Sequence, residues 1–189
     1  MSKKLRLGDV MIGREELQER VQELGEQISR DYRGETIMAV GILKGAVIFM
    51  SDLVRALNVE CSLEFMTVSS YGGGTQSSGE VRIKKDLDRS IEGENVLIIE
   101  DIIDSGHSMR YLKETLSKRG AKSIRICTLL DKPSRRVVEI EPDYSGFTVD
   151  DVFTVGYGMD YDKKYRNLPC ISYLEEVEDE GEEDGEDDC

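Results

Sequence analysis

Between Glu15 and Asp31, Leu17, Val21, Leu24 and Ile28 fall at spacings of four, three and four, an apolar stripe that predicts a helix. TIMAVGI, Thr36 to Ile42, is a short continuous apolar run and predicts a buried strand. Ala46 to Leu57 reads as helical, and Cys61 to Ser69 as a strand with Leu63, Phe65 and Thr67 on one face. The most apolar strand candidate is NVLIIE, Asn95 to Glu100. A helix from about Ser108 to Arg119 follows, then a strand from Ser123 to Leu130, then two short ones, Val152 to Tyr157 and Pro169 to Tyr173. Strands that alternate with helices predict an α/β fold, a central parallel sheet with helices on both faces.

The pattern lapses twice. SSYGGGTQSSG, Ser69 to Gly79, has four Gly, four Ser and no aliphatic residue. Such composition suits either a hairpin linker or a closing lid over a site. EEVEDEGEEDGEDDC, Glu175 to Cys189, holds 11 acids and no Lys or Arg. It is expected to form a disordered tail, because like charges repel and it has little apolar surface to bury. The predicted division is therefore a domain over 1–174 and an acidic tail over 175–189.

Charge changes meaning with that division. The 189 residues carry 25 Lys+Arg and 39 Asp+Glu, a net of −14. Without the tail's 11 acids, 28 face 25 bases and the body carries −3. A body so near neutrality lacks the basic footprint of a nucleic-acid binder. At 39% hydrophobic residues the chain can bury a core. No apolar run approaches the ~20 residues of a membrane span, and Met1 to Asp9 lacks a signal peptide's apolar stretch. Cys61, Cys127, Cys170 and Cys189 show no C-x-x-C spacing, so free thiols in a reducing cytoplasm are expected.

The chemistry concentrates in VLIIEDIIDSGHS, Val96 to Ser108. A buried strand delivers Glu100 and Asp101 to its carboxyl end, where parallel sheets bind ligands. Two adjacent carboxylates there need a cation or hydroxyls for company. Asp104 is a third acid. Ser105-Gly106-His107-Ser108 then opens a helix, offering free N–H groups, two hydroxyls and the positive end of the helix dipole. That combination makes a phosphate cradle. A plain N-cap beside solvated acids is the simpler alternative.

The whole run resembles the phosphoribosyl-diphosphate motif of type I phosphoribosyltransferases: aliphatics, two acids, two aliphatics, Asp, Ser/Thr, Gly, any residue, Ser/Thr. Within that family the chain is similar to the hypoxanthine (hypoxanthine-guanine) enzymes from roughly Asp9 to Leu174. GILKGA, Gly41 to Ala46, resembles the diphosphate loop; DKP places Lys132 just past a strand; VFTVGYGMDYDKKYRNLP runs from Val152 to Pro169. The family commonly has Lys where this chain has Gln76, and often Thr where it has Ser105 and Ser108.

The resemblance implies a type I phosphoribosyltransferase fold with a small hood and a flexible lid carrying Ser70 and Tyr71. It implies salvage of a 6-oxopurine: transfer of 5-phosphoribosyl to hypoxanthine or guanine, with release of diphosphate. Asp104 would be the catalytic base. Glu100, Asp101, Ser105, Gly106, His107 and Ser108 would hold the phosphoribosyl group, and Lys44, Gly45 and Arg166 the diphosphate. Lys132, Phe153, Thr154 and Asp160 would meet the purine, Phe153 by stacking, with backbone near Thr154 and Val155 reading its edge. Mg²⁺ would sit near Glu100 and Asp101, and a second near Asp160. His107 fills the variable position, where its N–H matters more than its imidazole. The implied partners are these small molecules, without nucleic acid or membrane, in a homo-oligomer (dimer or tetramer). The rival function is a nucleotide-sensing regulator of the same fold that binds RNA, which would need a basic patch this body lacks.

Overall fold

The computed structural model describes residues 3–71 and 80–178. A six-stranded sheet forms the centre. Its members are β2 (Ile37–Ile42), β3 (Cys61–Tyr71), β4 (Glu80–Lys85), β5 (Asn95–Ile103), β6 (Ser123–Asp131) and β7 (Tyr144–Thr148), in the order β4-β3-β2-β5-β6-β7. All neighbours are parallel except β3 and β4, which form an antiparallel edge. The expected mostly parallel α/β sheet is thus present.

The central strands bury both faces. Ile37, Ala39, Leu97 and Ile99 join one core with α1 (Arg14–Asp31) and α2 (Val47–Ala56). Met38, Val40, Val96 and Ile98 point the other way and pack with Met109, Leu112 and Leu116 of α3 (His107–Ser117). This is why β2 and β5 read as unbroken apolar runs: an alternating pattern would leave one face wet. In α1, the stripe residues Leu17, Val21, Leu24 and Ile28 are all buried. On β3, Leu63 is exposed, and the fully buried residue is Met66 on the other face.

A second sheet forms the hood: β1 (Lys3–Ile12), β9 (Ile171–Glu178) and β8 (Thr154–Val155), in the order β1-β9-β8. Both of its pairings are antiparallel, and β1–β9 joins the two end regions of the chain. The strand expected from Val152 to Tyr157 shortens to two residues. Gly156 and Tyr157 have φ of 98° and 47°, which strand geometry does not accept. The last strand instead continues past residue 174. Glu175 pairs with Arg6 across the sheet, Glu178 with Lys3, and the Arg6 guanidinium meets the Glu175 carboxylate at 2.7 Å. Four residues of the expected tail, Glu175 to Glu178, therefore belong to the hood. Residues 179–189 lie outside the described part.

Candidate active site

The carboxyl ends of β5 and β6 meet the hood at one place. At the end of β5 the Glu100 side chain turns inward and is buried, while Asp101 and Asp104 are half-buried. Glu100 Oε1 accepts the Asp101 N–H (3.1 Å), and Asp101 Oδ1 accepts the Ile102 N–H (3.0 Å). Burial, and then the Asp101 charge beside it, push the Glu100 carboxyl well above the usual carboxylate range. A cation or hydroxyls beside the pair would offset that cost.

The chain next turns through Asp104, Ser105 and Gly106 into α3. Gly106 is the N-cap, at φ 85°, and a Cβ there would lie 2.5 Å from Ile140 and 2.8 Å from Arg136 Cδ. Only glycine fits that turn. The first-turn amides of α3 have no acceptor inside the helix, and they border a cavity of about 150 Å³ walled by Asp101, Asp104, Ser105, Gly106 and Ser108. His107 opens the helix half-buried, outside that wall.

The 41–46 loop closes over the acids. Gly45 stands so near Asp101 that a Cβ would fall 1.7 Å from Oδ2. The Leu43–Lys44 peptide is cis, and the Lys44 side chain is exposed. On the hood side, Gly158 (φ 104°) presses against the same loop, leaving 2.1 Å between a would-be Cβ and the Gly45 carbonyl. Arg166 donates to the Gly158 carbonyl (2.7 Å) and pairs with Asp160 (2.5 Å). Lys44, Gly45 and Arg166 thus belong to two elements in contact at Gly45–Gly158.

The purine candidates line a larger cavity of about 640 Å³, bordered by Asp104, Lys132, Phe153, Thr154 and Asp160. Lys132 is buried, with its ammonium donating to the Val152 carbonyl. Burial lowers its pKa, against the pull of Asp104 and Asp151. Phe153 is 52% exposed, an open aromatic face steadied edge-on by Tyr161 at 5.5 Å. Thr154 is buried on β8, its hydroxyl toward Met159 Sδ (3.6 Å).

Two charged neighbours escaped the sequence reading. Arg135, in a 3₁₀ turn over Pro133–Arg135, reaches both Asp104 (2.8 Å) and Asp151 (3.0 Å). Arg136 donates to the Asp104 carbonyl (3.1 Å) and pairs with Asp131. The one available signal was the doubled arginine one residue after Asp131-Lys132-Pro133. The Ser70 and Tyr71 side chains, and the loop after them, lie outside the described part. Among the described residues, no three of His, Cys, Asp and Glu gather as a metal cage.

Comparison with known proteins places this geometry. The family profile for the phosphoribosyl transferase domain matches residues 13–162. A hypoxanthine-guanine phosphoribosyltransferase of Bacillus subtilis is 53% identical over 165 residues, covering 87% of this chain and 92% of that protein. The bifunctional protein TilS/HprT of Listeria monocytogenes is equally similar, but this chain spans only 26% of its length. The crystal structure of a hypoxanthine phosphoribosyltransferase from Staphylococcus aureus superposes with a TM-score of 0.86. It is 49% identical and covers 89% of this chain and 92% of that one.

Proposed function

The chain belongs to the phosphoribosyltransferase family, among relatives of the hypoxanthine-guanine enzymes, and from that premise we propose that it transfers 5-phosphoribosyl from phosphoribosyl diphosphate to hypoxanthine or guanine. One observation carries the reading. The small cradle and the larger cavity share a wall made of Asp101, Ile102 and Asp104. A phosphate in the cradle and a flat base against Phe153 would leave the sugar between them, beside that wall.

Each part then has a task. First-turn amides of α3 hold the 5-phosphate. Glu100 and Asp101 take the ribose hydroxyls, and the backbone at Lys44 and Gly45 faces the diphosphate with Arg166. Lys132 meets the six-oxo group of the base while Phe153 stacks on its plane. Asp104 holds the proton on an imidazole-ring nitrogen of the purine, so the bonding nitrogen becomes more nucleophilic as the sugar carbon gains positive character. General-base help of this kind contributes ~10²–10⁴-fold. The donors present fit Mg²⁺, which accepts one or two carboxylates with substrate phosphates and water completing its shell. Glu100 and Asp101 would hold one Mg²⁺, and Asp160 would lie near a second. When bound, it supplies charge neutralisation to the departing diphosphate.

No helix among the described residues is long and apolar enough to cross a membrane. Cys61, Cys127 and Cys170 are free thiols, in keeping with work in a reducing cytoplasm. The deciding experiment offers hypoxanthine, guanine, xanthine and adenine in turn, with phosphoribosyl diphosphate and Mg²⁺, and follows diphosphate release. Hypoxanthine and guanine should be consumed. Consumption of none would overturn the proposal, and strong retention of RNA at low salt would favour the regulator instead.

A further inference from the structure

Asp104 is held at both ends by consecutive residues of one short turn. At its backbone, Arg136 donates to the Asp104 carbonyl, and the N–H groups of Val137 and Val138 donate to the Ser105 carbonyl at 3.0 and 3.3 Å. Arg136 is itself fixed by its pair with Asp131 (side chains 14% and 16% exposed) and by the Ile140 carbonyl. That end is a rigid mount. At the carboxylate end, Arg135 Nε lies 2.8 Å from Oδ1, and its Nη1 reaches Asp151 Oδ1 at 3.0 Å. Asp104 Oδ1 is covered from solvent yet receives no directed hydrogen bond. Arg135 therefore acts on it by charge and contact rather than by a fixed N–H line.

Asp151 is two residues from Phe153 and next to Val152, whose carbonyl receives Lys132. One guanidinium thus spans the gap between the carboxylate that would take the purine proton and the segment that would grip the purine.

We propose that Arg135 is a positioning residue for the base step: it holds the Asp104 carboxylate toward the larger cavity and ties it to the 151–153 segment. The proposal rests on the transferase reading. The charged groups facing Asp104 are Arg135 from the turn, Lys132 from the end of β6, Asp101 from β5, and Asp151 and Asp160 from the hood. Three of these are acids, and Arg135 is the cation in contact with both Asp104 and Asp151. Its loss leaves the Asp104 carboxylate without that hold.

The test compares Arg135→Gln, Arg135→Lys and Asp104→Asn in the full chain. It reads kcat/KM for the purine, and separately the affinity for phosphoribosyl diphosphate by calorimetry. For Arg135→Gln, kcat/KM at neutral pH should fall by about fivefold to tenfold, as for a displaced but present base. Affinity for phosphoribosyl diphosphate should stay within about twofold, and Arg135→Lys should restore most of the loss, since charge rather than fork geometry carries the effect. An unchanged kcat/KM, an equal loss of phosphoribosyl-diphosphate affinity, or no rescue by Arg135→Lys would overturn the positioning role. Asp104→Asn distinguishes the two failures. If it is crippled while Arg135→Gln is not, only this inference falls; if it stays active, the base step falls with it.

Discussion

The proposed phosphate end and the proposed purine end of the cavity are built by opposite strategies. The phosphate end is local: nine residues, from Glu100 to Ser108, run from one strand through one turn into one helix. They present mainly backbone groups and short side chains. The purine end is assembled from the end of β6, a 3₁₀ turn, and a hood whose strands come from both ends of the chain. Every ligand class with a 5-phosphate offers the same anion, so a local backbone cradle suffices. Bases differ in their edges, and reading those edges takes side chains brought from distant positions. Specificity therefore sits on the less regular half.

Asp104 stands where the halves join, so Asp104→Asn is the most severe way to break the comparison. Both substrates should still bind within about threefold, because neither the cradle amides nor Phe153 is touched. The kcat should fall by about 10²–10⁴-fold, the range for losing a general base. Single-turnover kinetics would check it; a loss below tenfold would remove Asp104 from the proton step.

The same contrast governs what the sequence could reveal. The spacing of Val96 to Ser108 showed its strand, acids and cradle because every interaction that matters there is within a few residues. Leu17 to Ile28 showed α1 for the same reason. The strands β1, β4 and β7 passed unnoticed. Lys3 to Ile12 is charged and unremarkable until β9, some 160 residues later, pairs with it. Arg135 and Arg136 were invisible as site residues because their partners, Asp104 and Asp151, lie on other elements. The strand expected at Val152–Tyr157 was cut short by positive φ at Gly156 and Tyr157, where the chain bends to set Gly158 against Gly45. The purine candidates Lys132, Phe153 and Asp160 came from family resemblance; one Lys at a strand end and one Phe on a strand carry no such message alone.

Two substitutions sharpen the contrast from either side. Gly45→Ala forces a methyl into the Asp101 carboxylate, which must swing out of the sugar site. Overpacking of this kind costs about 1–3 kcal/mol, which is roughly tenfold to hundredfold in affinity. The KM for phosphoribosyl diphosphate should rise accordingly, with the purine's dissociation constant unchanged. Phe153→Ala should do the reverse. Base stacking contributes about 1–3 kcal/mol, and because this ring is half exposed the lower end applies, so purine KM should rise by about fivefold. Steady-state kinetics with each substrate varied would show the crossed pattern. A rise in both constants for either variant would mean that the two ends are not separable.

The smallest effects concern the acidic end of the chain, and they turn on where it is cut. Removing residues 179–189 takes away acids that lie beyond β9 and beyond every residue assigned to the cavity. Activity should stay within about twofold, since surface charge of this kind acts chiefly on solubility. Removing 175–189 goes further. It deletes the Arg6–Glu175 pair and four register partners of β1, and β9 is the strand that holds β8 in place. The ion pair alone is worth little, with both side chains largely in water, so most of the effect should come from the lost strand pairing. A fall of a few degrees in melting temperature is expected, ~1 kcal/mol being worth ~2–4 °C in a domain of this size. The purine KM should rise more than that for phosphoribosyl diphosphate, because Thr154 sits on β8 and the cradle does not touch the hood strands. Equal behaviour of the two truncations would show that β9 ends functionally at Leu174, and that the hood needs less of the chain's end than its pairing suggests.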